Sequence, residues 1–462
     1  MTNKKYDVIV IGSGPGGYVA AIRAAQLGFK TACIEKYPTL GGTCLNVGCI
    51  PSKALLQSSE YYHLLKHDGK IHGIDCGEIK HNFKTMMNRK SHVVDGLTGS
   101  IALLFQKNKI DRIEGVATFL DPYSVEVKGE KITADHFILA TGSKPIELPF
   151  LPFDEKKIVS STGALALNKV PKKMLVIGAG VIGVELASVY SRLGSKVTIV
   201  EMLDRVCPGM DLTVCKSLQE IYTKQGLEFY LQGKVTSGEV TSKGVKITFT
   251  HESKEYVENV DVAMVSVGRR PYTEGLGLDK IGIETDERGF VPVNSQFRTR
   301  HAHILAIGDI IDGPMLAHKA SEEGMAAAEV LAGHDTHVNY MAIPNVIYTH
   351  PEVASVGLTE QEAKDMGLKP KSGIFYFRNN PRARCSHDTD GLVKVIGDAT
   401  SGRLIGMHII GPHASELIGE GVMAIEKKAT LEDLARASHA HPTLCEAIKD
   451  ASLAALRRPI HG

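Results

Sequence analysis

The chain has 462 residues, with 53 Lys+Arg against 52 Asp+Glu and a formal charge of +1, which gives no support for nucleic-acid or anionic-membrane binding. Its length points to about three domains, and no apolar run reaches the roughly 18 residues of a membrane span. The eight cysteines are scattered apart from one pair, Cys44 and Cys49. A disulfide-rich secreted scaffold is therefore excluded, and a cytoplasmic protein with one working disulfide is expected.

Along the chain, Tyr6–Ile11 is an apolar, β-branched run, so close to the start that no leader segment is expected. It feeds Gly12-Ser13-Gly14-Pro15-Gly16-Gly17, an alanine-rich helical stretch from about Tyr18 to Leu27, and a second strand, Thr31–Glu35. The order recurs at Met174–Ile177, Gly178-Ala179-Gly180-Val181-Ile182-Gly183, Val184–Leu193 and Lys196–Glu201. Each glutamate lies 23 positions after the first glycine of its turn. A lone G-x-G-x-x-G is weak, but strand, turn, helix and acid together mark a dinucleotide fold. The first glycine (Gly12, Gly178) makes the tight turn and the second (Gly14, Gly180) admits a pyrophosphate to the backbone. The third (Gly17, Gly183) packs helix on sheet. Glu35 and Glu201 accept from ribose hydroxyls. No arginine precedes Arg205 after Glu201, which favours NAD over NADP.

Between the two folds, Gly41–Lys53 places Cys44 and Cys49 five positions apart, with a glycine between them and Lys53 four residues on. A regular helix would separate their Cα atoms by roughly 8–9 Å, whereas a disulfide needs about 4.4–6.8 Å. If the sulfurs meet, the backbone bends, and Gly48 and Asn46 are the residues that tolerate a bend. Such a forced pair suits redox exchange better than a structural staple; two unrelated buried thiols are the plainer alternative. Two nucleotide sites and a dithiol imply an electron path. Flavin exchanges electrons with sulfur readily and nicotinamide does not, so FAD is expected at the first site.

Ser143–Pro152, with three prolines in eight positions, reads as a linker. Further boundaries are expected near Gly268–Pro271 and Ile343-Pro344. The expected regions are 1–147 for FAD, 148–270 for NAD, 271–343 completing the FAD site, and 344–462 for dimerisation. Two strands ending in glycine turns, Phe137–Gly142 and Ile304–Asp309, agree with FAD at the first site, with Asp309 placed to bond a polyol; alone, Gly308-Asp309 reads as an ordinary turn. After 344, runs at Ile374–Phe377, Leu392–Ile396 and Leu404–Ile410 predict an antiparallel sheet, with helices at Ala414–Lys427 and Leu431–Ala437. The fold class is α/β: two Rossmann-like domains plus a C-terminal α+β domain.

From Tyr6 to the C-terminus these motifs resemble the pyridine nucleotide-disulfide oxidoreductases, most closely their dihydrolipoamide-oxidising branch. The resemblance covers Gly12–Gly17, Gly41–Lys53, Ala140–Gly142, Gly178–Glu185, Val267–Pro271, Gly308–Asp309, Met315–Lys319, Tyr348–Gly357 and His439–Glu446. It implies that Cys44 exchanges with substrate, Cys49 lies beside the flavin, and Lys53, paired with Glu185, stabilises reduced flavin. It places Thr141, Gly142, Asp309, Met315 and Ala317 at FAD and Gly268 at NAD. His441 becomes the acid–base, oriented by Glu446, with His439 structural. The segment would complete the partner subunit's site, so an obligate homodimer is expected. The resemblance further implies a lipoylated acyltransferase or lipoyl carrier protein as partner, in a 2-oxo acid dehydrogenase or glycine cleavage complex. No nucleic acid, membrane or metal partner is expected, and a mature organellar matrix form is the alternative to a cytoplasmic one.

The competing readings are an NADP-dependent glutathione reductase, disfavoured by Glu201, and mercuric or high-molecular-weight thioredoxin reductases. The last two need redox-active C-terminal cysteines, whereas this chain ends Arg457-Arg458-Pro459-Ile460-His461-Gly462. From another class comes a binding protein with a vestigial flavin site. Asn379–Cys385 departs from the family pattern and reads as surface variation, with an adjustment of partner docking as the alternative. Cys445, next to Glu446, reads as a small core residue, with an oxidisable thiol near the active centre as the alternative.

Overall fold

The computed structural model describes residues 4–461. Met1–Asn3 and Gly462, the extremities of the terminal segments read above, lie outside the described residues. The chain divides into two compact units. The first gathers 4–55, 84–146 and 268–338; the second gathers 56–83, 147–267 and 339–461.

In the first unit, strand Lys4–Ile11 lies parallel to Thr31–Glu35 on one side and Glu130–Leu139 on the other. Asp111–Glu114 extends the sheet beyond Thr31–Glu35, and Ile304–Ala306 pairs with the end of Glu130–Leu139. Val8–Val10 and Phe137–Leu139 are fully buried, as expected for parallel strands covered on both faces. Helix Pro15–Gln26 packs on helix Ala317–Leu331 so closely that a Cβ on Gly324 would stand 2.4 Å from the Gly16 carbonyl oxygen.

The second unit repeats the parallel motif. Lys173–Ile177 lies between Lys196–Glu201 and Val262–Val265, with Glu228–Leu231 outside the former. The same unit holds a five-stranded antiparallel sheet ordered Asn345–Ile347, Glu352–Gly357, Leu404–Gly411, Leu392–Asp398, Pro370–Tyr376. Helices Ala414–Glu426, Leu431–Arg436 and Glu446–Ala455 accompany it. Gly373 lets the last of these lie against the edge strand, since a Cβ there would meet Ala451 O at 2.2 Å. Among the described residues no helix is long and apolar enough to cross a membrane.

One expected linker is structured at its start. Ser143–Pro145 forms a strand antiparallel to Arg269–Pro271. The prolines permit this because a two-stranded ribbon leaves each strand an unpaired edge.

Candidate active site

The two glycine turns share one geometry. Gly12 and Gly178 have φ of +101° and +103°, and their Cβ atoms would meet Ala140 O at 2.4 Å and Ser266 O at 2.6 Å. At Gly17 and Gly183 a Cβ would fall 1.9 and 2.1 Å from the carbonyl oxygens of Gly12 and Gly178. Gly14 and Gly180 differ, because nothing lies within 4 Å of an added Cβ. Helices Pro15–Gln26 and Val181–Arg192 start there with no side-chain cap and no acid in the first turn. Their free N–H groups and positive dipole ends fit a pyrophosphate.

The two acids are tied into these turns. Glu35 accepts from Ser13 N–H (2.9 Å) and Ser13 Oγ (2.6 Å) on one oxygen, and from Tyr37 N–H (3.0 Å) on the other. Glu201 accepts from Ala179 N–H and Leu203 N–H, both at 2.7 Å. The expected ribose contact must therefore use the remaining lone pairs of each carboxylate. Arg205 is engaged by Asp204, Nε to Oδ1 at 2.6 Å, which occupies the first arginine that could meet a 2′-phosphate.

The cysteine segment is two helices, Gly42–Val47 and Cys49–His67, broken at Gly48 (φ −139°, ψ −110°). A Cβ on Gly48 would meet Thr43 O at 2.9 Å. Cys44 and Cys49 are both in the thiol form and are joined by a hydrogen bond. That bond pushes the Cys44 thiol well above its ordinary range; burial adds to the effect and the Lys53 charge opposes it. Cys49 opens a 19-residue helix, whose positive end stabilises a thiolate. Asn46, expected to help the bend, is helical. Its amide donates to Leu40 O (3.0 Å) and Gly42 O (2.9 Å) and its oxygen accepts from Thr39 (2.8 Å).

The dithiol segment is docked on the first glycine turn. Gly41 N–H donates to Ser13 O at 3.0 Å and to Ser13 Oγ at 3.2 Å. A Cβ on Gly42 would approach Gly14 Cα to 2.6 Å. Ser13 thus joins Glu35, the turn and the cysteines, a role its sequence position between two glycines does not reveal.

Elsewhere in this unit, Thr141 Oγ1 donates to Tyr272 O (2.6 Å) and Gly142 has φ +73°. Asp309 accepts from Ser143 Oγ at 2.5 Å, and that hydroxyl accepts from Arg269 Nε at 2.7 Å. Burial lowers the Arg269 pKa. Gly268 (φ +121°) lends its carbonyl to Ile146 N–H at 3.0 Å. Met315 is half-buried. Ala317 begins helix Ala317–Leu331, again without a side-chain cap.

In the second unit, buried Glu185 accepts from Tyr348 N–H at 2.9 Å. His441 Nδ1 meets Glu446 Oε1 at 3.0 Å, and the other Glu446 oxygen accepts from Thr443 N–H at 2.8 Å. Burial raises the Glu446 carboxyl, but the Thr443 N–H and His441 outweigh it and leave the group below its ordinary value. A carboxylate on Nδ1 assigns the proton there and leaves Nε2 basic. His439 forms its own pair with Glu420 at 2.9 Å, and that bond raises its pKa.

Two expectations about this region need correction. Asn379–Cys385 is not surface variation throughout. Asn380 is fully buried, caps helix Pro381–Cys385 and donates to Thr443 O at 3.0 Å. It holds the loop that carries His441, a long-range bond that local sequence does not disclose. Cys445 is half-buried rather than core, with its sulfur 3.0 Å from Thr443 Oγ1.

Comparison with known proteins agrees with this geometry. The family described as pyridine nucleotide-disulphide oxidoreductase matches residues 6–324, and its dimerisation domain matches 343–452. The chain is 53% identical to the mitochondrial dihydrolipoyl dehydrogenase of Schizosaccharomyces pombe over 461 residues, spanning 98% of this chain and 90% of that protein. It is 51% identical to that of Sus scrofa over 459 residues, 97% of this chain and 90% of that protein. Among solved structures it resembles LpdA from Mycobacterium tuberculosis, with TM-score 0.88 and 26% identity, covering 96% and 99% of the two chains.

Proposed function

The chain belongs to the pyridine nucleotide-disulphide oxidoreductases, and on that premise we propose how its residues carry out the family chemistry. The protein is a homodimeric flavoprotein that oxidises dihydrolipoamide with reduction of NAD. The observation that supports the residue roles best is the hydrogen-bonded Cys44–Cys49 pair docked through Gly41 and Gly42 onto the first glycine turn.

When bound, FAD carries the electron pair between the dithiol and NAD. The Gly12–Gly17 turn and the first turns of helices Pro15–Gln26 and Ala317–Leu331 hold it, with Glu35, Thr141, Gly142, Asp309 and Met315. NAD takes Gly178, Gly180, Gly183, Glu201 and Gly268, with Glu185 supported by Tyr348. In the oxidised enzyme Cys44 and Cys49 are bonded to each other. His441 of the opposite protomer, held by Glu446, removes a proton from dihydrolipoamide. The resulting thiolate attacks Cys44 Sγ, breaking the disulfide and releasing Cys49 as a thiolate near Lys53. The second substrate thiolate then displaces Cys44, closing the lipoyl ring. The balance is dihydrolipoamide plus NAD⁺ to lipoamide plus NADH and H⁺.

The substrate arrives on a lipoylated acyltransferase or lipoyl carrier protein of a 2-oxo acid dehydrogenase or glycine cleavage complex. The proposed regions are 1–147 for FAD, 148–270 for NAD, 271–343 completing the FAD site and 344–462 for dimerisation. The proposed compartment is the cytoplasm, with an organellar matrix, favoured by the mitochondrial relatives, as the second reading.

Steady-state NAD reduction by dihydrolipoamide tests the assignment, with NADP-dependent reduction of glutathione disulfide run in parallel. We expect lipoamide turnover that disappears in Cys44→Ser while bound flavin is retained. Turnover that survives in that variant overturns the role given to Cys44.

A further inference from the structure

The first unit buries an ion pair that the residue roles above leave unused. Lys319 and Glu323 sit one turn apart on helix Ala317–Leu331, their side chains 0% exposed and their charges 3.0 Å apart. Both act on one residue. Glu323 accepts the Gly308 N–H at 2.7 Å and the Lys319 ammonium donates to the Gly308 carbonyl at 3.1 Å. Gly308 has φ +74°, starts the short turn Gly308–Ile310 and shares a peptide bond with Asp309.

A backbone turn alone does not require such a pair. Taking two charges out of water costs several kcal/mol per ion, and apolar residues of equal volume would fill the same space. Net stability is therefore a weak reason for the pair, and what distinguishes it is its bonds to Gly308. Its geometry grips both polar groups of Gly308 from inside, while Ser143, whose hydroxyl accepts from Arg269, donates to the Asp309 carboxylate. Asp309 is thus held from its main chain and from its side chain by separate elements. The same helix presents its uncapped N-terminus at Ala317, and Gly324 seats it against Gly16 in the first glycine turn.

We infer that Lys319 and Glu323 are positioning residues that retain FAD by setting the Gly308–Asp309 peptide. The inference rests on the reading of Asp309 as a flavin ligand. The test uses Lys319→Met/Glu323→Leu, which removes both charges but keeps volume, so the fold is expected to survive. FAD release from the holoenzyme is followed on dilution by the rise of free-flavin fluorescence, beside thermal unfolding. Release should accelerate about tenfold, equivalent to ~1.4 kcal/mol, with little change in unfolding temperature. In an Asp309→Asn background the same double substitution should accelerate release less than about threefold, because residues acting as one unit are not additive.

An unchanged release rate in the wild-type background overturns the inference. So does an effect that adds in full on top of Asp309→Asn, which would leave the Asp309 reading standing. Asp309→Asn with no effect on release removes both. If the double substitution yields no folded protein, Lys319→Met/Glu323→Gln carries the same comparison: it leaves no unpaired buried charge, keeps an acceptor for the Gly308 N–H and removes the donor to the Gly308 carbonyl.

Discussion

Gly48→Ala probes the break between the two cysteine helices. The added Cβ would stand 2.9 Å from Thr43 O and 3.3 Å from Cys44 Cα, both main-chain atoms. Ordinary contact begins at 3.4 Å, so the Cys44 segment must move away by about half an ångström. Overpacking of this kind costs roughly 1–3 kcal/mol. The larger consequence is chemical, because a reacting constellation tolerates only about 0.5 Å and a displacement of 1 Å can cost about 10²-fold. Bound FAD should remain, since Gly12, Gly14 and Gly17 are untouched. Lipoamide-dependent NAD reduction should fall about tenfold or more in kcat, and Cys44 and Cys49 should re-form their disulfide more slowly after reduction. Turnover and reoxidation within twofold of the parent would refute the argument that Gly48 sets the sulfur geometry.

Gly14→Ala should keep its thermal stability yet release FAD faster, because the new methyl group meets no protein atom within 4 Å. Gly17→Ala should yield unstable or flavin-free protein, its Cβ lying 1.9 Å from Gly12 O. Glu446→Gln should lower kcat roughly 10²-fold and alter the pH profile of lipoamide oxidation. The folded Glu446 carboxyl is depressed, so its stabilisation is present above the unfolded value near ~4.3 and is lost as pH falls through the folded value. Thermal unfolding of the parent and the Gln variant should therefore differ at neutral pH and converge in acid. For His439 the sign reverses. Its raised pKa makes the Glu420 bond fully effective below about pH 6.5 and weaker as pH rises through the folded value. Glu420→Gln should flatten the difference in unfolding temperature between pH 6 and pH 9.

The order of elements, the two dinucleotide folds and the antiparallel sheet of the C-terminal region were legible in the sequence because each depends on local chemistry. A β-branched run, a glycine turn and an alanine-rich stretch specify strand, turn and helix within about thirty residues. A five-residue spacing of cysteines around Gly48 likewise announces a bent segment. The pairing of His441 with Glu446 came from the family resemblance rather than from spacing, and the structure brings imidazole and carboxylate within a hydrogen bond.

Tertiary structure alone decided what supports those groups. Ser13 reaches Gly41, Asn380 reaches Thr443, and Arg269 reaches Ser143, each across a separation that no periodicity encodes. Asn380 shows the limit clearly: its neighbours are polar and basic, so the segment reads as surface until Thr443 closes over it. Lys319 and Glu323 show the same limit from inside a helix. Their spacing suits an ordinary exposed i,i+4 pair, and only the tertiary structure shows that both charges are buried against Gly308. Burial and long-range hydrogen bonding depend on which surfaces meet, and that is settled by the packing of whole elements.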